Sequence, residues 1–415
     1  MKHGRISIKV LFCVLMIVSL GMTTISAAAK PYQIPSKEYK ELKYRNDRGE
    51  TLKLYGSKSY QLQWVKEFSD GGDIVTNKTK DRIIVTQNNS VVSYDLNGKV
   101  QWRYTLPSFS FNHYSLLVGA DGTIYAVQRP IKLLDEYESG HVSALSEKGK
   151  LLWESALDNP KATAFLQYGG NSKGTFVTFN DDGIIGIKNG AIAWTNTEIL
   201  QLTTTDYGLY QLSSSNITGM FADRQGRTFV QTDTTLYALD DAGSILWSRD
   251  IKGDFTPIRQ DQYLLYTPAS GSLVLIDSST GKNVSGAAIN SQWLLDTSLP
   301  IDRKGGLYVS NELRASKNGI SKINMKGNPI WSYKIRYQGY SAAYEMTSDP
   351  AGNVYFSDAG GTLYSLDKDG NERFILLYRN KSGPTLTTSV IGKDGNVYAL
   401  LDNIGLTKIT AIPQK

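Results

Sequence analysis

Few side chains in this chain are spaced to do covalent or metal chemistry. Of its three histidines, His113 and His141 lie beyond the N-terminal run, and neither has a partner at metal-ligand spacing. The one cysteine, Cys13, falls inside an apolar N-terminal stretch. Beyond it there is no disulfide, thiol nucleophile or zinc–thiolate centre to build. Asp135 and Glu136 are adjacent carboxylates that could serve acid–base work, but on a loop such a pair is ordinarily solvated. Asp367-Lys-Asp369-Gly370-Asn371 begins like a calcium loop, yet it lacks the third ligand before the glycine and the distal glutamate. No His-Glu-x-x-His and no phosphate loop ending in Gly-Lys-Ser/Thr occurs. The expectation is therefore no metal, no cofactor and no catalytic residue. What remains is recognition chemistry, carried by tyrosine, phenylalanine and arginine.

Those side chains must be held by β-structure. The chain has 25 Tyr, 12 Phe and 7 Trp, punctuated by 38 Gly. No long stretch shows an apolar period of 3.6, so the composition reads as all-β. The unit Leu236-Tyr-Ala-Leu-Asp-Asp-Ala-Gly243-Ser-Ile-Leu-Trp247 recurs from end to end. It is an alternating strand, a tight turn, and a second strand with a large aromatic four residues after the turn glycine. Turn glycines at 98, 149, 190, 243, 281, 327 and 370 recur about every 45 residues, the length of one four-stranded propeller blade. A second motif, glycine followed after three residues by an aromatic, precedes several copies, as in Gly122-Thr-Ile-Tyr125 and Gly352-Asn-Val-Tyr355. The copy around Leu273–Val284 lacks the aromatic. The last copy, Leu406–Thr410, has only a first half, and the segment around Trp64 only a second. Pairing these two halves closes a ring and removes a broken edge. An eight-bladed β-propeller is expected, closed by the Trp64 strand, with each Trp packing between neighbouring blades.

The units LYALDDAGSILW, HVSALSEKGKLLW and LYSLDKDGNERF resemble the repeats of quinoprotein-type (PQQ-like) β-propellers, in the form found in secreted Gram-positive proteins. The resemblance covers about Gln61 to Ile412. It implies the fold, and it is compatible both with quinone-dependent dehydrogenases and with non-enzymatic scaffolds. The dehydrogenases carry a vicinal Cys-Cys pair over the quinone and calcium ligands around it. No residue here matches those motifs. The first expectation is a non-enzymatic binding propeller. A PQQ-dependent oxidoreductase or a carbohydrate-active enzyme is the alternative.

The ends of the chain suggest export. Lys2, Arg5 and Lys9 precede an apolar run, Val10 to Leu20, and Ala27-Ala28-Ala29 offers a cleavage site, so residues 1–29 read as a signal peptide. Its loss leaves 42 basic residues against 39 acidic and moves the formal charge from +6 to +3. That mild charge gives no nucleic-acid footprint. Residues 30–58 read as a polar arm, solvated at least to Asp47, with Thr51–Tyr55 as a possible added strand. Residues 59–415 form the propeller. A secreted, cell-wall-associated monomer without a membrane span is expected.

Strand phase places the loops. Connections between blades and connections from second to third strands share one propeller face, and the longer connections fall in these two classes. They carry Phe109, Phe111, His113, Tyr114, Arg129, Tyr137, Tyr207, Tyr210, Arg314, Arg336, Tyr337 and Tyr340. This face is the expected binding surface for a protein or a cell-wall polysaccharide.

Overall fold

The computed structural model describes residues 42–45, 51–56 and 59–412, less the following segments: 69–70, 108–113, 129–130, 134–135, 139, 158–168, 171–173, 181, 207–210, 224, 252, 259–262, 269–272, 290–305, 311–318, 325–327, 336–343, 359–360, 380–386 and 402. Every regular element among these residues is a β-strand.

The strands form an eight-bladed propeller of antiparallel four-stranded blades. Blade 1 runs Gly71–Thr76, Arg82–Gln87, Ser90–Asp95 and Val100–Thr105 from the axis outwards. The first, innermost strand of blade 1 touches that of blade 2, Tyr114–Val118, on one side and that of blade 8, Thr387–Ile391, on the other. Blades 2, 3, 4 and 5 repeat the order, ending in outer strands Leu151–Leu157, Ala191–Asn196, Ile245–Asp250 and Asn283–Ile289. Blade 6 shows three strands among the described residues, and blade 7 ends in Glu372–Arg379. Blade 8 takes its outer strand, Tyr60–Glu67, from the start of the propeller and its other three from the C-terminal end, with Trp64 opposite Lys408 and Glu67 opposite Gly405. The closure expected from the two half-repeats is present in register.

The buried apolar residues fall into clusters lying largely between successive blades. The repeat signature builds these seams. A bulged residue precedes the aromatic of each outer strand that has one: Gln63, Gln101, Leu152, Ala193, Leu246, Ile330 and Arg373. A bulge twists the strand and re-aims the next side chain. Five of the Trp residues so aimed cover the turn glycine of the following blade with their indoles. A Cβ on Gly98, Gly149, Gly243, Gly281 or Gly370 would lie 2.3–3.0 Å from the indole of Trp64, Trp102, Trp194, Trp247 or Trp331. These glycines also have positive φ, so the position demands glycine twice over. Indole N–H groups then donate to turn carbonyls of the same neighbour: Trp102 to Glu147 O at 2.9 Å, Trp247 to Ser278 O at 3.1 Å and Trp331 to Lys368 O at 2.9 Å.

The aromatic of the second motif lies beneath the outer-strand aromatic of its own blade. Ring centroids are 5.8 Å apart for Tyr398–Trp64 and Tyr308–Trp331, 5.9 Å for Tyr125–Trp153 and 6.0 Å for Phe229–Trp247. In blades 2, 4, 6 and 8 two motifs distant in sequence thus form one aromatic pair, an arrangement worth about 0.5–1.5 kcal/mol beyond burial.

The N-terminal arm carries the added strand expected at Thr51–Tyr55, and departs from a solvated linker at Leu42–Arg45. Leu42–Arg45 and Thr51–Gly56 form a hairpin, and the second strand adds to the outer edge of blade 7, giving a six-stranded sheet. Leu52 and Leu54 are fully buried against Phe374, Leu376 and Tyr378. Alternation drives this: the leucines face inward while Lys53 is only half-buried.

Candidate functional site

The two faces of the propeller differ. On one, first-to-second and third-to-fourth strand connections are mostly short turns, many capped by their own carboxylates. Asp95, Asp240 and Asp367 each accept two backbone N–H groups within the turn, at 2.8–2.9 Å. Asp367 also accepts from the Asn371 amide at 3.0 Å. The carboxylate that suggested a calcium loop is thus engaged in a turn cap. Among the described residues no three His, Cys, Asp or Glu side chains come together to hold a metal ion.

The other face collects the inter-blade and second-to-third connections, and among the described residues two of these carry hairpins. A hairpin, Ile131–Leu133 with Glu136–Glu138, interrupts blade 2 between its second and third strands. A second, Leu202–Asp206 with Gln211–Ser215, stands between blades 3 and 4. Tyr137 lies on the first hairpin, opposite Lys132. Tyr114 opens the first strand of blade 2, but its ring is buried and its hydroxyl donates to Pro107 O at 2.7 Å. It anchors the loop base and offers no surface for contact. Phe109, Phe111, His113, Arg129, Tyr207, Tyr210, Arg314, Arg336, Tyr337 and Tyr340 lie outside the described residues.

Two polar clusters on this side had no sequence signal. Asp73, near the start of the innermost strand of blade 1, accepts from Leu116 N of blade 2 at 2.8 Å and from its neighbour Ile74 N at 2.8 Å. Burial pushes its pKa up despite these two hydrogen bonds. The carboxylate therefore pins adjacent blades at the channel mouth. At the seam of blades 1 and 2, Glu154 accepts from Tyr104 at 2.6 Å and Ser143 at 3.1 Å, with His141 Nε2 3.7 Å away. Burial raises the Glu154 carboxyl, but the hydroxyl donors and His141 outweigh it and hold the pKa low, while Tyr104 is pushed up to about 12, chiefly by burial and then by Glu154. His141 is thus a strand residue facing a carboxylate. Gly170-Asn-Ser172-Lys-Gly174 has the spacing of a nucleophile elbow; residues 171–173 lie outside the described residues, and the flanking strands Gly169–Gly170 and Phe176–Asn180 pair within blade 3.

On the opposite side, Lys408 is buried beside Asp394 at 2.9 Å and donates to Leu96 O at 2.8 Å, joining blade 8 to blade 1. Its signal was present: Lys322 holds the same third-strand position and donates to Lys368 O of blade 7 at 3.2 Å. A lysine midway along an otherwise buried strand marks a seam bond.

Comparison with known proteins agrees with this architecture. BamB from Moraxella catarrhalis superposes with a TM-score of 0.54 at 17% identity, over 85% of this chain and 100% of that one. The C-terminal WD40 domain of Sif2 superposes with a TM-score of 0.59 at 10% identity, over 85% of this chain and 99% of that one. No curated protein sequence matches the chain. The family described as outer membrane protein assembly factor BamB matches in three overlapping stretches, residues 48–197, 87–249 and 232–401. The repeats that set the blades are those of this family, and the chain belongs to the PQQ-like β-propeller family of BamB.

Proposed function

We propose that this protein is an exported, non-catalytic scaffold that recognises a partner protein through its loop-rich face. One observation carries the reading: the asymmetry of the two faces. Among the described residues third-to-fourth connections are short and most are capped by their own side chains, whereas both inserted hairpins, 131–138 and 202–215, belong to the opposite face. Propellers vary in function through loops of this kind, and propellers of the BamB and WD40 type often act as protein-binding platforms. The net charge of +3 expected after signal removal suits a location near anionic wall polymer. The test is a pull-down from cell-surface extract with wild-type protein and an Arg336→Ala/Tyr337→Ala/Tyr340→Ala variant. The variant should lose its protein partner at an unchanged melting temperature. Equal capture by both would refute the reading. Retention of polysaccharide alone would replace the protein partner, and dye reduction with pyrroloquinoline quinone and calcium would establish an enzyme instead.

A further inference from the structure

One blade edge of this propeller already carries an added strand. Thr51–Gly56 pairs antiparallel with the outer strand of blade 7, Leu52 opposite Tyr378 and Leu54 opposite Leu376. The pairing starts at Phe374, just beyond the bulge at Arg373. Both leucines enter the core shared by blades 7 and 8, where they join Leu62. Leu62 stands two residues before Trp64, a position on the wall that faces the preceding blade. The equivalent residues are Val100, Leu151, Ile192 and Ile245, and all are exposed. Among the described residues no added strand pairs with the outer edges of blades 1, 2, 3 or 8. An aliphatic position covered by a strand at one seam therefore stands open at four others.

We propose that the outer edge of blade 2, Leu151–Leu157, receives an extended segment of a partner protein with aliphatic side chains at alternate positions. The occupant's chemistry is read from Thr51–Gly56, the strand that fills the equivalent edge of blade 7. The seam between blades 2 and 3 is singled out because both walls are aliphatic and open. Leu152 of blade 2 is 51% exposed and Ile192 of blade 3 is 55% exposed. Leu152 holds the bulged position of Arg373, whose side chain in blade 7 turns towards Tyr60 of blade 8. Beyond the bulge, Trp153–Leu157 offers a continuous edge in the register that blade 7 uses. Main-chain hydrogen bonds would supply affinity, and alternate side chains set between the blades would supply selectivity. This surface lies on the rim, apart from the loop-rich face.

The probe is a synthetic peptide with the sequence of Glu50–Gly56, carrying a benzophenone in place of the Tyr55 side chain and offered to the full chain. Saturable labelling is expected within 151–157 and 191–196, mapped by mass spectrometry. Leu152→Lys and Ile192→Asp should each weaken labelling by about ten-fold, equivalent to one buried aliphatic contact of about 1.4 kcal/mol. Both positions are exposed, so both variants should retain the wild-type melting temperature. A peptide with aspartate in place of both leucines should not label. Labelling confined to blade 7, unsaturable labelling, or unchanged labelling of the two variants would overturn the proposal.

Discussion

Gly149→Ala should destabilise the protein far more than Gly395→Ala, although the two glycines have nearly the same backbone. Their φ angles are +75° and +72°, so alanine meets the same left-handed penalty at each, about 1–2 kcal/mol. Their surroundings differ. A Cβ at Gly395 meets nothing within 4 Å, whereas a Cβ at Gly149 would lie 2.4 Å from Cδ2 and 2.5 Å from Cε3 of Trp102. The indole must withdraw by about 1 Å to restore ordinary contact. That movement breaks its hydrogen bond to Glu147 O, worth about 1 kcal/mol, and adds an overpacking cost of about 1–3 kcal/mol. The expected loss is about 3–6 kcal/mol for Gly149→Ala against about 1–2 for Gly395→Ala. Urea denaturation followed by circular dichroism reads both as shifts in midpoint at constant slope. The decisive comparison repeats Gly149→Ala in a Trp102→Ala background, where the cost should fall to that of Gly395→Ala. Equal losses at the two glycines, or simple additivity with Trp102→Ala, would refute the docking of the indole as the reason for glycine.

Four further outcomes follow from the seams. Asp394→Asn leaves the buried Lys408 ammonium without its carboxylate and should cost about 1–3 kcal/mol; Lys408→Met/Asp394→Asn should recover part of this, measured by the same denaturation. Leu52→Ala and Leu54→Ala should each cost about 2–5 kcal/mol and speed hydrogen exchange across 374–379, which a merely tethered arm would leave unchanged. Asp277 is held below the usual carboxylate range by the Ser279 hydroxyl and turn N–H groups, and Asp394 by Asn396 and Lys408 against the opposing effect of burial. Their stabilisation is complete above the unfolded value of 3.8 and is lost as pH falls through the lower native values, so Asp277→Asn should flatten the midpoint against pH between about 5 and 2. Asp73 has the opposite sign: its raised native pKa makes its contribution fullest below 3.8 and diminishes it as pH rises through the native value, so Asp73→Asn should steepen that acid limb.

Ring size, blade phase and the closing strand were legible without coordinates because their causes are local and repeated. A turn glycine, an alternating strand and an aromatic four residues on need only neighbouring residues to form, and repetition makes the phase unambiguous. The two half-repeats at the ends could pair only with each other. The same phase assigned the inserted hairpins to one face. What each signature residue touches was not legible. Trp102 covers Gly149 of the next blade, and the spacing from each Trp to its glycine changes with every loop between them. Tyr114 illustrates the limit: at a loop–strand junction, composition does not say whether a ring turns outward or into the seam, and here the seam takes it. The arm illustrates it again. The alternation at Thr51–Tyr55 marked a strand but not its partner: Leu52 and Leu54 pack on a strand near the other end of the chain, and Leu42–Arg45, read as solvated, pairs with Thr51–Gly56 in turn. Long-range pairing of that kind leaves no local trace, since a two-leucine alternation is common, and it acquires meaning only when the ring brings an open edge beside it.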